Sequence, residues 1–229
     1  MKRLINYFTK FELCLWSASV FTILISFCIF DRENYLTLLA SVVGATFLIF
    51  CAKGNPIGQF LTIVFSILYG IISYGFSYYG EMITYLGMTL PMAFLALFSW
   101  LRNPYKSNKS EVKVNGLPKK EIPFMLILTL FVTVVFYFIL KHFNTANLIP
   151  STISVTTSFL AVYLTFRRSP YYALAYAMND IVLILLWTLA TIEEISYLSV
   201  VICFIVFLVN DVYGFISWKQ MEKRQKLNM

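Results

Sequence analysis

Charge is what this chain has least of. Only 13% of its 229 residues are Asp, Glu, Lys or Arg, where a soluble domain carries about a quarter. The deficit excludes an ordinary water-solvated globule. Histidine is nearly absent: His142 is the one copy, beside Lys141 at a helix end. With no HExxH pattern and no clustered His/Asp set, neither a metal centre nor a nucleophile with its base is on offer, and the chain does not read as an enzyme. The four cysteines, Cys14, Cys28, Cys51 and Cys203, lie in or beside apolar runs without metal-ligand spacing, and read as packing residues. There is no glycine-rich nucleotide loop, so neither a cofactor nor direct energising by ATP is expected. No lysine of the retinal-binding kind lies inside an apolar run, and no long polar segment offers an output surface for a receptor or sensor.

What is present is apolar length. Hydrophobic residues make up 59% of the chain and aromatic ones 18%. Several runs approach the roughly 20 residues that cross a bilayer. Eight spans are expected, at Glu12–Phe30, Tyr35–Ala52, Pro56–Tyr79, Met82–Leu101, Ile122–Leu140, Leu148–Phe166, Pro170–Thr191 and Ile195–Trp218. All should be helices, since lipid leaves the backbone no other hydrogen-bond partner and no alternating barrel pattern occurs. The first run follows Lys2, Arg3 and Lys10 but lacks a small-residue cleavage site, and is expected to be retained.

The formal charge of +7 reads as positive-inside bias rather than as a nucleic-acid surface. With the N-terminus cytoplasmic, sixteen of the eighteen Lys and Arg residues fall on the inner side, leaving only Arg32 and Lys141 outside. Both termini are therefore expected in the cytoplasm.

The chain also repeats itself. Lys53-Gly54-Asn55-Pro56 opens the third span and Arg167-Arg168-Ser169-Pro170 the seventh; Phe98-Ser99-Trp100 closes the fourth and Ile216-Ser217-Trp218 the eighth. The expected architecture is all-α: an extra N-terminal helix (1–34), a three-helix bundle (35–101), a cytoplasmic loop (102–121), a linker helix (122–147), a second, parallel three-helix bundle (148–218) and a cytoplasmic tail (219–229). Parallel repeats of this kind belong to transporters, with the substrate between them.

Asn179-Asp180 and Asn210-Asp211 sit inside apolar spans. Intramembrane acids are expensive and face a partner, a wet cavity or a ligand. No Lys or Arg lies inside a span to neutralise them. At 1.5 Å per residue both acids fall roughly 10–15 Å from the inner end of their helices. Trp187 shares a helix face with Asp180, and Tyr213 one with Asn210. The first triplet answers with a polar stripe, Gln59, Thr62, Ser66, Tyr69 and Ser73, and with Tyr85 and Thr89 on the fourth span, where Pro91 marks a kink or hinge. Locked helix-to-helix hydrogen bonds are the plain alternative for any one of these. Together, aromatic faces, amides and a carboxylate suit a flat, polar, cationic small molecule.

Gly54-Asn55-Pro56-Ile57-Gly58-Gln59, Tyr79-Gly80-Glu81-Met82, Asn179-Asp180-Ile181-Val182-Leu183 with Trp187, and Asn210-Asp211-Val212-Tyr213-Gly214-Phe215 with Trp218 resemble the PnuC nicotinamide riboside transporters over nearly the whole chain after the first span. The resemblance implies a SWEET-like fold in a bacterial cytoplasmic membrane. It also implies facilitated uptake of nicotinamide riboside, a vitamin B3 form used for NAD synthesis, trapping by a cytoplasmic kinase, and a homotrimer. Related transporters carry thiamine, riboflavin or deoxynucleosides, so these remain alternatives. The residues expected to meet substrate are Trp187 by stacking, Asn179, Asn210 and Gln59 by hydrogen bonding, and Asp180 or Asp211 by charge, with Tyr69, Tyr85, Thr89 and Tyr213 around them. Proton coupling through the aspartates stays open.

Overall fold

The computed structural model describes residues 7–75, 79–106, 108–145 and 147–228. Lys2 and Arg3 of the charge count, and 76–78 at the expected end of the third span, lie outside them. Eight helices are long and apolar enough to cross a membrane: α1 (Lys10–Phe30), α2 (Tyr35–Ala52), α3 (Pro56–Gly75), α4 (Tyr79–Arg102), α5 (Glu121–His142), α6 (Leu148–Phe166), α7 (Tyr172–Thr191) and α8 (Leu198–Leu227, entered through a 3₁₀ turn at Ile195–Tyr197). Two differ from expectation. The third helix is described only to Gly75, with α4 starting at Tyr79, and α8 runs nine residues past Trp218.

Six helices close a ring in the order α2, α3, α4, α6, α7, α8, with α8 returning to α2. Successive helices of each triplet pack on one another, and α4–α6 and α8–α2 join the triplets. Outside the ring, α1 lies on α8 and α2, and α5 on α6, where Thr133 and Thr156 hydroxyls meet at 2.9 Å. The outward side of α5 is bare leucine, isoleucine and phenylalanine, among them Ile127, Leu130, Phe131 and Phe138. In a bilayer that face costs nothing to leave unpartnered by protein.

The repeat is visible in hydrogen bonds. Gly54, at φ +64°, turns α2 into α3 while Asn55 N–H donates to the Phe50 carbonyl at 3.0 Å. Arg168, at φ +59°, turns α6 into α7 while Ser169 N–H donates to the Leu164 carbonyl at 2.9 Å. Both are left-handed C-caps followed closely by a proline, Pro56 opening α3 and Pro170 lying two residues ahead of α7. The correspondence reaches the leading helices too. Glu12 of α1 pairs with Lys53 at 3.0 Å and receives the Tyr213 hydroxyl; Glu121 of α5 pairs with Arg167 at 2.6 Å and receives the Tyr163 hydroxyl. Each triplet thus carries an equivalent anchored helix in front of it. A capping box, Thr9 with Glu12, starts α1.

The loop between α4 and α5 is built rather than slack. It holds a small antiparallel hairpin, β1 (Pro104–Tyr105) with β2 (Asn108–Val112), which the turn-forming composition did not announce. Val112 is fully buried and its N–H donates to the Gly54 carbonyl at 2.9 Å, while Asn115 N–H donates to the Arg168 carbonyl at 3.0 Å. One loop therefore ties the two inter-helix turns together. The extra turns of α8 explain themselves here: buried Gln225 accepts from Val114 N–H at 2.8 Å and donates to the Val112 carbonyl at 3.0 Å.

Candidate functional site

Every ring helix sends side chains into one small cavity of about 50 Å³ between the triplets. Phe47 and Leu48 come from α2, Thr62 and Phe65 from α3, Tyr85 and Thr89 from α4, and Ser158 and Val162 from α6. On α7 they are Tyr176, Asn179, Asp180 and Leu183; on α8, Phe204, Phe207 and Asp211. Pockets for drug-sized ligands run to ~300 Å³ and more. The present arrangement is therefore contracted, with Phe65 and Phe207 rings 6.0 Å apart filling the space.

Asp180 of α7 and Asp211 of α8 line this one cavity, close enough for each to feel the other's charge. Both are buried, and Asp180 Oδ2 has no hydrogen-bond partner among the described residues. Such a pair exists because the two helices run antiparallel with the acids at matching depth. Asn179 lines the same cavity with its carbonyl oxygen engaged by α6: Thr157 donates at 2.8 Å, Ser158 at 3.0 Å and Ser154 at 3.3 Å. That oxygen, with two lone pairs, draws its donors from these three hydroxyls, which fixes the amide's orientation and leaves its NH₂ to be offered elsewhere.

The wall contributed by α4 is irregular. Thr84–Thr89 form a π-helical turn, and Leu90 N–H reaches back to the Tyr85 carbonyl. Pro91 supplies no N–H, so the hydrogen-bond ladder slips by one residue just before it. The slip aims Tyr85 and Thr89 at the cavity.

The remaining expected residues go elsewhere. Asn210 turns to α1, where its amide donates to Ser19 at 2.9 Å. Tyr213 donates to Glu12 at 3.0 Å, on the side of the termini. Gln59 is buried one turn below Thr62, its amide 3.2 Å from Cys51 Sγ. Tyr69 packs on Tyr85 with ring centroids 4.4 Å apart, and on its other side it neighbours Trp187. Trp187 is buried two turns along α7 from Asp180, outside the central cavity, edge-on to Tyr197 at 5.4 Å. Cavity residues that sequence reasoning passed over, Tyr176 and Phe207, lie four positions before Asp180 and Asp211 respectively. A helical i−4 search from each acid finds them. Ser158 had no such marker, because one serine in a run of small polar residues looks like packing surface.

A ring of apolar helices around a buried cavity that carries two carboxylates, an amide and aromatic rings defines a small-molecule membrane transporter. Residues 34–220 match the family model described as nicotinamide mononucleotide transporter, and the chain belongs to that family. It is 26% identical over 228 residues to the nicotinamide riboside transporter PnuC of Neisseria mucosa, covering 97% of this chain and 86% of that one. The PnuC of Haemophilus influenzae is 23% identical over 194 residues, covering 84% and 82%. A crystal structure of the vitamin B3 transporter PnuC superposes with a TM-score of 0.82 at 24% identity, covering 95% and 94% of the two chains, and so has the same fold.

Proposed function

We infer that this chain carries nicotinamide riboside across the membrane by alternating access, one triplet rocking against the other around the central cavity. The observation that carries the reading is the facing Asp180–Asp211 pair in an aromatic-lined chamber at the triplet interface. A buried acidic pair with no cation in the chamber wall offers compensation to a positive pyridinium ring, and Asn179, oriented by the hydroxyls of α6, presents its amide to a carboxamide or ribose. The names borne by both relatives support the same substrate. The charge asymmetry of the sequence supports a bacterial cytoplasmic membrane with both termini inside. Movement is downhill, with a cytoplasmic kinase removing the product, and the working unit is a homotrimer.

Uptake of labelled nicotinamide riboside into liposomes holding the purified protein tests this. The expected course stops at equal concentrations, with or without a pH gradient, and thiamine competes weakly. Accumulation driven by the gradient overturns the facilitator mechanism; uptake of thiamine or neutral deoxynucleosides in its place overturns the substrate.

A further inference from the structure

A second pocket, of about 70 Å³, opens at the face opposite the termini. Its wall contains Glu81 at the start of α4, Thr145 and Asn147 in the α5–α6 turn, Ser151 of α6, and Trp187 and Glu193 from α7 and the turn after it. Glu81 is only 7% exposed, and its Oε2 finds no hydrogen-bond partner among the described residues; nor does Thr145 Oγ1, buried in the same wall. Gly80 makes this closeness feasible, since a Cβ there would lie 2.5 Å from Thr145 Oγ1.

A carboxylate with one oxygen withdrawn from water and unpartnered either holds a proton or gives it up when a cation reaches it. No Lys or Arg lines this pocket; its second acid, Glu193, is exposed at the edge. Trp187 supplies the complementary feature, an aromatic face that attracts an organic cation more than a hydrated metal ion. The pocket is also in line with the central cavity. Trp187 meets Tyr69, Tyr69 packs on Tyr85, and Tyr85 lines the chamber that holds Asp180 and Asp211. The Tyr69–Tyr85 layer thus divides two acidic chambers.

We propose that the Glu81–Trp187 pocket is an outer subsite that captures a planar organic cation before it passes the tyrosine layer. Glu81 faces the positive ring nitrogen and Trp187 the ring plane. The site rests on the transport reading and on the orientation proposed with it, in which the face opposite the termini is the outside. It explains why Trp187 lies two turns from the aspartates: it serves the entrance rather than the centre.

The test titrates the purified full-length chain with 1-methylnicotinamide, a bare pyridinium cation. Nicotinamide riboside and its reduced form, which has the same outline and an uncharged ring, are titrated in parallel. Glu81→Gln is expected to weaken binding of both cations tenfold or more while leaving the reduced form within twofold. Equal loss for charged and uncharged ligands overturns the site, as does no loss for the cations. Sodium binding that Glu81→Gln abolishes, with no 1-methylnicotinamide binding to the wild type, overturns it in favour of an inorganic ion. Should Glu81→Gln not fold, quenching of indole emission by 1-methylnicotinamide decides: it is expected in the wild type and lost in Trp187→Phe, and unchanged quenching overturns the proposal. If the wild type binds 1-methylnicotinamide through Glu81 but does not transport nicotinamide riboside, the transport reading fails and takes the subsite's place on a pathway with it, while the cation site itself stands.

Discussion

Trp100, near the end of α4, and Trp218 of α8 lie with ring centroids 5.3 Å apart, and each hooks onto the opposite triplet. Trp100 donates to the Thr165 carbonyl of α6 at 2.9 Å, and Trp218 to the Cys51 carbonyl of α2 at 2.7 Å. The preceding serines repeat the exchange, Ser99 to the Phe166 carbonyl and Ser217 to the Ala52 carbonyl. Four reciprocal bonds therefore lock the triplets together on the side of the termini. Rocking that opens this side must break them.

Removing one indole donor should loosen the latch without emptying the space. Trp218→Phe keeps most of the ring and loses one buried hydrogen bond, worth about 0.5–1.5 kcal/mol. The expected result is a modest fall in the thermal unfolding midpoint of the detergent-purified protein. Combining it with Trp100→Phe should cost less than the sum of the two singles if the latch is cooperative, because either single already loses the mutual support.

The aspartate pair gives a sharper outcome. Asp180→Asn retains a group able to hydrogen-bond Asp211 and should fold, yet it removes one acid from the chamber. Binding of a cationic nucleoside is expected to weaken about tenfold, a change of ~1.4 kcal/mol. Calorimetry on the purified variant measures this. Unfolding without any separable binding defect would assign the pair to helix packing.

Close helix approach predicts a graded glycine series. At Gly58 an added Cβ would lie 2.7 Å from the Cys51 backbone nitrogen, which cannot step aside. Gly58→Ala should destabilise the protein by about 1–3 kcal/mol. At Gly214 the nearest atom is Ala173 Cβ at 3.4 Å. Gly214→Ala should be nearly neutral, and thermal unfolding of the two variants side by side checks the contrast.

The hairpin loop depends on the tail of α8. Gln225→Ala removes the acceptor of the Val114 N–H and a donor to both the Val112 carbonyl and Glu111. Amide exchange across Val112–Asn115 should then accelerate at least tenfold, with protection of the spans unchanged. Hydrogen-exchange mass spectrometry resolves the segment.

The sequence by itself determined eight apolar helices, the matching turns at Gly54 and Arg168, and the depth of the two acids. Hydropathy and length accumulate along a chain, and a helix converts position into depth at a constant rise. It could not decide facing. Successive helical residues point about 100° apart, so of each Asn-Asp pair the neighbours chose which member met what. Asp211 took the cavity, and Asn210 met Ser19 on α1, a residue 191 positions away. On α7 both members reach the cavity because α6 brings hydroxyl donors to Asn179 there. Trp187 shares a face with Asp180 in projection, but two turns of rise carry it into a different chamber, beside a glutamate that the chain places more than a hundred residues earlier. Those pairings are long-range contacts, and only the closed ring of helices brings them into being.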